Sequence, residues 1–400
     1  MSNWVPQLDK HVEIFPFNKT EYLVQHKELG YQVNINHNTF LILQLVDGHR
    51  TTEDIQQIFN KENHIQLSTD FIYDLLYRQL GQFGMIIREG SHIKHRKRAS
   101  HLGLSFIFIP SKILDRITPF IAFLFGPRFF YLVLGTLTVG VLTMIILNFQ
   151  VIKYWLEYMK LNTLNLLLSI ILFQAGNLFH ELGHAGALRK FGLKSGGIGF
   201  GFYLLTPALF TDVSEAWKLD KKDRIIVNLG GIYFEMLLSG MFLLFYFYKQ
   251  NISFLVIPCV LAIRTLINLN PFIKLDGYWI LSDATNMPNL QNNARIVFRT
   301  KLKELFKLNF SFSTRKEVWL FFYALLNLLV VVAFMASVFI NDPYLIVKFP
   351  LHLIDLIVNF NAFEGGIFKS ILIPLTFWYL LIRFIVGYLR QVVREKHIRK

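Results

Sequence analysis

The 400-residue chain has little cysteine and little charge. Its single cysteine, Cys259, excludes an intramolecular disulfide and a cysteine-rich metal site. Only 17% of its residues are charged, whereas 53% are hydrophobic and 40 are phenylalanines. This balance is too apolar for an ordinary soluble domain, and it predicts a mainly α-helical, polytopic membrane protein.

The start of the chain lacks the features of a secretion signal. Residues 1–17 read MSNWVPQLDKHVEIFPF, a polar and mixed stretch without a charged start, an apolar centre and a cleavage site. We therefore expect that no signal peptide is removed and that the N-terminus stays in the cytoplasm.

The first 93 residues have the pattern of a small domain outside the membrane. YLVQHK and YQVNIN alternate apolar and polar residues around a Leu-Gly turn, which is typical of a β-hairpin. Three helical patterns follow: NTFLILQLVDG, TTEDIQQIFNK with Thr51 or Thr52 as its cap, and STDFIYDLLYRQLGQFG beginning at Ser68. A hairpin with three helices predicts a winged-helix-like α+β domain.

The order of these elements, together with LVDGHRTTEDI at Leu45 to Ile55, resembles the PqqD-like family of peptide-recognition domains. The resemblance implies that a ribosomally made peptide pairs in extended form with the hairpin edge, at Tyr31, Val33 and Ile35. A DNA-binding winged helix and a purely structural domain stay open as alternatives, because a turn before a capped helix is common. We favour the peptide and expect no nucleic-acid partner.

Six apolar runs are long enough to cross a bilayer, which takes roughly 20 helical residues. They lie at 129–147, 163–188, 226–248, 253–269, 317–340 and 369–388. Shorter apolar stretches with proline or glycine are predicted to be interfacial or re-entrant, at 104–126, 198–211 and 344–361.

Lysine and arginine residues indicate how these runs are oriented. They concentrate in KHRKR near residue 94, between 189 and 224, between 295 and 316, and in the tail VVREKHIRK. The positive-inside rule then predicts a multi-pass protein of the cell membrane with both termini in the cytoplasm. The net charge of +14 is best explained by contact with the anionic lipid bilayer rather than with nucleic acid.

Residues 177–192 read NLFHELGHAGALRKFG and place two histidines and a glutamate at the end of the second run. A spacing of four puts His180 and His184 on one helical face, where two imidazoles can reach one zinc ion. Glu181 stands beside them as a candidate general base. An HExxH sequence also occurs by chance, and polar residues near a helix end can simply extend to water.

A second motif, LNPFIKLDGYW at 269–279, lies at the end of the fourth run. Pro271 and the Asp276-Gly277 turn predict unwound backbone, which is tolerated at membrane depth only where protein or a water-filled cavity satisfies it. An acidic residue at such depth is a functional candidate. Asp276 could therefore supply a third, oxygen ligand to the zinc ion.

The two motifs together resemble the site-2 protease family of intramembrane zinc metalloproteases. LLTPALFTDVSEAW, VNLGGIYFEMLL and NPFIKLDGYW are closer still to its peptide zinc metalloprotease branch, so the resemblance covers residues 113–282. It implies one zinc ion held by His180, His184 and Asp276, with Glu181 as general base. It also implies substrate-positioning residues at Asn270, Pro271 and Gly277. Asn228 is a further candidate for substrate positioning, which we expect to donate a hydrogen bond near the zinc ion. The Asn-Pro motif departs from the family pattern because it lacks the usual second proline.

Two further features complete the predicted core. KSGGIGFGFYLLTP, from Lys194 to Pro207, resembles the membrane-associated β-hairpin of site-2 proteases, which would offer a strand edge to an extended peptide; a lipid-facing loop is the alternative. Glu235 and Arg264 lie at similar depth in antiparallel runs and are predicted to pair, as a structural contact.

The sequence thus predicts a bacterial membrane zinc endopeptidase that cleaves a ribosomally made precursor or modified peptide near the cytoplasmic face. A modifying enzyme or a transporter is a further expected partner. Two alternatives stay open: a regulatory intramembrane protease of a signalling protein, and a non-hydrolytic export or immunity protein with structural zinc. Retention of Glu181 argues against the latter, because structural zinc does not require a base.

Five segments follow from these assignments. They are a peptide-recognition domain, a basic linker with an interfacial segment, a catalytic membrane core, a basic cytoplasmic segment, and C-terminal membrane helices with a basic tail, at residues 1–93, 94–128, 129–282, 283–316 and 317–400.

Overall fold

The computed structural model describes most of the chain, at residues 5–17, 21–29, 31–87, 103–158, 163–203, 206–307, 310–344, 346–349, 373–382 and 385–386. Most of the predicted interfacial stretch at 344–361 lies outside these residues. The predicted sixth span, 369–388, is described over 373–382 and 385–386, and Ile373–Ile382 forms a short apolar helix. The chain forms two compact units. The first comprises Met1–His101 with Ser214–Arg224, and the second comprises Leu102–Val213 with Ile225–Lys400.

Antiparallel strands form the sheets of the first unit. Strands β2 (Val12–Pro16), β3 (Glu21–His26) and β4 (Tyr31–Asn36) pair in that order, with Val24 opposite Val33. A small separate pair joins β1 (Gln7–Leu8) to β5 (Ile86–Ile87). The predicted hairpin is confirmed as β3 and β4, and β2 extends it to three strands.

Three helical segments follow β4, and side-chain caps fix their starts. They are α1 (His37–Gln44), α2 (Thr52–Asn63) and α3 (Thr69–Tyr73), the last continuing as a π-helix over Asp74–Leu80. Thr51 and Asp54 form a reciprocal capping box at α2, and Ser68 accepts from the Phe71 N–H at α3. Caps of this kind stabilise a helix by about 1 kcal/mol each.

Both faces of the sheet in the first unit are covered by other parts of the chain. One face packs on the helices around the fully buried Val24, Ile55 and Phe59. The other face meets the segment Ser214–Arg224, which returns from far along the chain. Gln32 Nε2 donates to the Ser214 carbonyl at 3.3 Å.

Aromatic and charged contacts secure this returning segment. The Phe17 and Trp217 rings lie 5.8 Å apart, and the buried Arg224 guanidinium lies 4.5 Å from the Phe17 ring. Lys218 Nζ lies 3.6 Å from Glu13 Oε2. The predicted boundaries assigned these residues to the membrane core, whereas here they belong to the first unit and pack on its sheet.

The second unit contains one three-stranded sheet. Strand β7 (Gly197–Tyr203) lies between β6 (Gly103–Pro110) and β8 (Thr206–Thr211), and both pairings are antiparallel. The predicted hairpin is present as β7 and β8. The stretch 104–126 is not simply an interfacial segment, because its first residues form β6 and hydrogen-bond to β7.

Most of the other described residues of the second unit are helical, and the described fold is mainly helical. They are α4 (Ser111–Ile117), α5 (Pro127–Leu147), α6 (Phe149–Tyr158), α7 (Thr163–Lys190), α8 (Lys221–Lys249), α9 (Ser253–Asn268), α10 (Asp276–Ala284), α11 (Leu290–Phe306) and α12 (Arg315–Asn341). Helix α8 begins within the first unit and continues into the second.

Three helices among the described residues are long and apolar enough to cross a membrane: Arg128–Leu147, Lys221–Lys249 and Arg315–Asn341. They match the first, third and fifth predicted spans. Helix α7 covers the second predicted span, and the fourth forms a 16-residue helix, shorter than the roughly 20 residues a span requires. The structure thus supports membrane association, while six spans and cytoplasmic termini stay predictions.

Candidate metal centre

The two histidines of HELGH converge near the C-terminal end of α7. His180 and His184 are one helical turn apart, and both are buried. Their Nε2 atoms lie 3.1 Å from each other. The spacing of four therefore brings both rings to one point, as the sequence predicted.

The carboxylate of Asp276 reaches the same point from another helix. Helix α9 ends at Asn268, the chain turns, and Asp276 is the first residue of α10. Asp276 Oδ2 lies 3.0 Å from His180 Nε2, and Oδ1 lies 3.5 Å from His184 Nε2. The three predicted ligand side chains thus form one compact cluster.

Glycine makes this turn possible. A Cβ atom on Gly277 would lie 2.1 Å from the Leu269 carbonyl oxygen, so no other residue fits without a backbone shift. Asn270 Oδ1 accepts from the Phe272 N–H, and the Pro271 carbonyl accepts from the Tyr323 hydroxyl. These contacts shape the loop before Asp276, and substrate-positioning roles for Asn270, Pro271 and Gly277 stay predictions.

The outer nitrogen of each imidazole determines where its proton lies. His184 Nδ1 lies 2.8 Å from the Val227 carbonyl oxygen, an acceptor, so Nδ1 carries the proton. His180 Nδ1 lies 2.9 Å from Glu235 Oε1. By angle this second contact is not a straight hydrogen bond, but the carboxylate favours a proton on Nδ1 in the same way. Both Nε2 atoms then present lone pairs to the centre of the cluster.

A cation fits this set of donors. Two imidazole lone pairs and a carboxylate oxygen repel one another at 3.0 to 3.5 Å unless positive charge lies between them. Asp276 Oδ2 is buried without a hydrogen-bond donor among the described residues. Ligands at about 2.0 to 2.1 Å around tetrahedral zinc lie roughly 3.3 Å apart, which matches these separations.

Glu181 lies next to the two histidines in sequence and is held by the neighbouring sheet. The Thr211 hydroxyl, at the end of β8, lies 2.8 Å from both the backbone oxygen and Oε2 of Glu181. The carboxylate is only partly buried. A proton acceptor with one oxygen held in place thus lies at the edge of the cluster.

Helix α8 packs against α7 through glycines. A Cβ on Gly183 would lie 2.2 Å from the Gly230 carbonyl oxygen, and one on Gly231 would lie 2.3 Å from His180 Nε2. The absent side chains let the backbone of α8 reach the histidines, which brings the Val227 carbonyl to His184.

Asn228 does not donate to the cluster directly. Its Nδ2 donates to Asp283 Oδ2 at 2.7 Å, on the buried side of α10. This bond ties α8 to the helix that carries Asp276. The substrate-positioning role of Asn228 stays a prediction.

The residues predicted to recognise a peptide lie in the first unit, on β4. Tyr31 and Ile35 are buried against the helical core, and Val33 packs beside them. A pocket of about 330 Å³ runs beside this strand, lined by Val33, Asn34, Ile35, Asn36, Thr39, Leu75, Gln79, Leu80, Gln82 and Phe83. The side chains of Tyr31, Val33 and Ile35 therefore contact the core, and only part of β4 is left to contact a ligand.

Sequence reasoning missed three elements of the cluster: Thr211, the Val227 carbonyl and the contact of Glu235 with His180. Thr211 precedes an aspartate in TDVSEAW and carries no catalytic signature of its own. A backbone carbonyl is invisible to motif reasoning. The buried charge of Glu235 was a signal, but it pointed only to Arg264.

Comparisons with known proteins agree with a zinc peptidase centre. Over 215 residues, which are 50% of this chain and 79% of the relative, the chain is 28% identical to "Putative peptide zinc metalloprotease protein YydH" of Bacillus subtilis (strain 168). No model of a known protein family matches the chain, and no solved structure matches it. The relative supports zinc and peptidase chemistry in general terms.

Proposed function

We propose that this protein is a membrane-embedded zinc endopeptidase of the site-2 protease type that cleaves a ribosomally made precursor or modified peptide. The observation that carries the proposal is the convergence of His180 Nε2, His184 Nε2 and the Asp276 carboxylate beside Glu181. Three protein ligands leave a fourth position for water or substrate, which is the arrangement of catalytic rather than structural zinc.

Each residue has a defined task in this proposal. His180, His184 and Asp276 hold the ion, which when bound lowers the pKa of water and polarises a peptide carbonyl. Glu181 Oε accepts a proton from the attacking water and then donates it to the amine that leaves when the C–N bond breaks. Thr211 fixes one carboxylate oxygen, so the other is free to face the water.

The peptide is proposed to enter the centre as an extended strand. Strand β7 is paired on both sides, so an added strand must use β6 or β8. The end of β8 contacts Glu181, which favours the β8 edge. Backbone pairing there would hold the peptide unwound, with its amide groups accessible.

The first unit is proposed to hold another part of the same peptide. Strand β4 is the outer strand of its sheet, and the pocket beside it could receive a side chain of an added strand. Asn34 lines that pocket, and its Nδ2 is buried without an acceptor among the described residues. A peptide carbonyl would satisfy this donor.

The test uses the full-length protein in detergent with a short peptide encoded beside its gene, and mass spectrometry reads the products. Native protein should bind about one zinc ion and cleave the peptide, whereas Glu181→Gln should keep zinc and lose about 10²- to 10⁴-fold in rate. Asn34→Leu should weaken peptide binding without affecting zinc. Zinc binding without cleavage by either protein would instead favour the non-hydrolytic alternative.

A further inference from the structure

Glu235 is the most enclosed carboxylate near the metal centre. It lies within α8, its side chain is fully buried, and it contacts groups on two other helices. Arg264 Nε and the Thr265 hydroxyl, both on α9, donate to its two oxygens. On the α7 side, His180 Nδ1 lies 2.9 Å from Oε1.

The pairing of Glu235 with Arg264 confirms the predicted structural contact but does not account for the whole arrangement. Replacing a buried ion pair by apolar residues of similar volume is often neutral or stabilising, so stability alone is a weak reason for it. Arg264 also donates to Asn177 Oδ1 and to the Gly176 carbonyl, one turn before His180 on α7. The arginine therefore links Glu235 to the helix that carries the histidines.

The two imidazoles differ in what holds them. His184 is oriented by a backbone carbonyl, which substitution of a side chain cannot remove. His180 Nδ1 instead faces the carboxylate of Glu235, with Oε1 at 2.9 Å in a bent contact rather than a straight hydrogen bond, at the place where a carboxylate partner stands behind a metal-binding histidine. Such a partner fixes the proton on Nδ1 and increases the basicity of Nε2.

We infer that Glu235 is a positioning residue of the metal centre, which holds the Nδ1–H form of His180 and is itself held by Arg264 and Thr265. The inference rests on the proposed function, because it assumes that His180 Nε2 binds zinc. It changes the role of the Glu235–Arg264 pair from a contact between helices to support for a ligand.

Metal affinity tests this role independently of cleavage. Full-length protein is stripped of metal in detergent, and zinc affinity is measured by competition with a chelator; absorption of the cobalt-loaded protein reports the ligand geometry. Glu235→Ala should bind zinc about 10- to 100-fold more weakly than native protein. Glu235→Gln should lose less, because its amide oxygen can still accept from Nδ1–H.

Ser239→Ala is the matched control. Ser239 lies one turn further along α8, is fully buried, and its hydroxyl has no hydrogen-bond partner among the described residues. It should bind zinc like native protein. Thermal unfolding of the metal-free proteins shows whether each variant folds, and Glu235→Gln carries the test if Glu235→Ala does not.

The outcomes separate the two proposals. Native affinity and a native cobalt spectrum in folded Glu235→Gln and Glu235→Ala would overturn the positioning role while leaving the zinc site intact. Failure of native protein to bind zinc would overturn the proposed function, and the positioning role with it. Weaker zinc binding in the order native, Gln, Ala would establish Glu235 as the support of His180.

Discussion

Two clusters of histidine and aspartate lie among the described residues, one in each unit, and only one has its nitrogens arranged for a metal. The cluster of the first unit comprises Asp9, His11 and His26, and that of the second comprises His180, His184 and Asp276. Ligand atoms in each cluster lie within 4.8 Å of one another. Residue types and distances alone therefore do not distinguish them.

The difference lies in the nitrogen that faces away from the centre. His26 Nδ1 accepts the Leu29 N–H at 3.2 Å, so a neutral His26 carries its proton on Nε2, which points at Asp9. That nitrogen has no lone pair to give a metal. The outer nitrogens of His180 and His184 instead face acceptors, which leaves both inner nitrogens free. The partner behind each ring thus determines whether a cluster can be a metal site.

Removing the aspartate from each cluster should show this difference most strongly. Asp276→Ala should lower zinc affinity by more than the roughly 10- to 100-fold that loss of an outer partner produces, and cleavage should disappear with the zinc. Asp9→Ala should keep about one zinc per chain. Elemental analysis of the purified proteins measures both, and equal zinc loss in the two variants would contradict the comparison.

Added methyl groups between α7 and α8 should have the next largest effect. Gly183→Ala and Gly231→Ala each place a Cβ within 2.3 Å of another atom, and overpacking of this kind typically costs 1–3 kcal/mol. Gly135→Ala, in α5, meets nothing within 4 Å and should be neutral or slightly stabilising. Thermal unfolding in detergent compares the three, and equal melting temperatures would show that the helices can move apart freely.

Loss of the Thr211 hydroxyl should slow peptide cleavage without changing zinc binding. Thr211→Val removes a hydrogen bond of about 1–1.5 kcal/mol from the Glu181 carboxylate, which corresponds to roughly tenfold slower cleavage. Zinc content should not change, because Thr211 contacts none of the three ligands. Thr211→Ser should restore the rate; a serine variant as slow as the valine variant would point to packing instead.

Acid should affect the first cluster through a smaller change in stability. Burial raises the pKa of Asp9, but the His11 N–H and the His26 and His11 imidazoles outweigh it and hold that pKa below its ordinary 3.8. Because the folded pKa is depressed, the stabilisation is present above pH 3.8 and is lost as the pH falls through the folded pKa. At neutral pH, hydrogen exchange should show residues 5–87 more protected in native protein than in Asp9→Asn. This difference in protection should disappear in acid. A gap independent of pH would exclude this ionisation as its source.

Local patterns in the sequence predicted much of the first unit and the cluster of the second. Strand alternation located β3 and β4, capping chemistry located α2 and α3, and helical spacing brought His180 and His184 together. Each of these features is set by neighbours within a few residues. Asp276 was found because an acid in a turn that also contains a proline and a glycine is unusual at membrane depth.

Long-range pairing could not be predicted in the same way. Strand β6 reaches β7 across some 90 residues of chain, and nothing in its apolar pattern identifies that partner. The Val227 carbonyl orients His184 only because glycines let two helices approach. The role of Glu235 could not be predicted because it depends on which imidazole ring the carboxylate faces. Hydropathy indicates only how deep Glu235 lies in the membrane.

The returning segment Ser214–Arg224 bears on how this protein can be dissected and how it can evolve. The first unit is discontinuous in sequence, so a fragment cut at residue 93 would expose Phe15, Phe17 and Leu23 on one face of its sheet. Exchange of the first unit between relatives by simple fusion would meet the same obstacle, because part of it is encoded between segments of the second unit. The two units are therefore expected to be inherited and to diversify together. To produce the first unit alone, residues 214–224 would have to be attached to it through a linker.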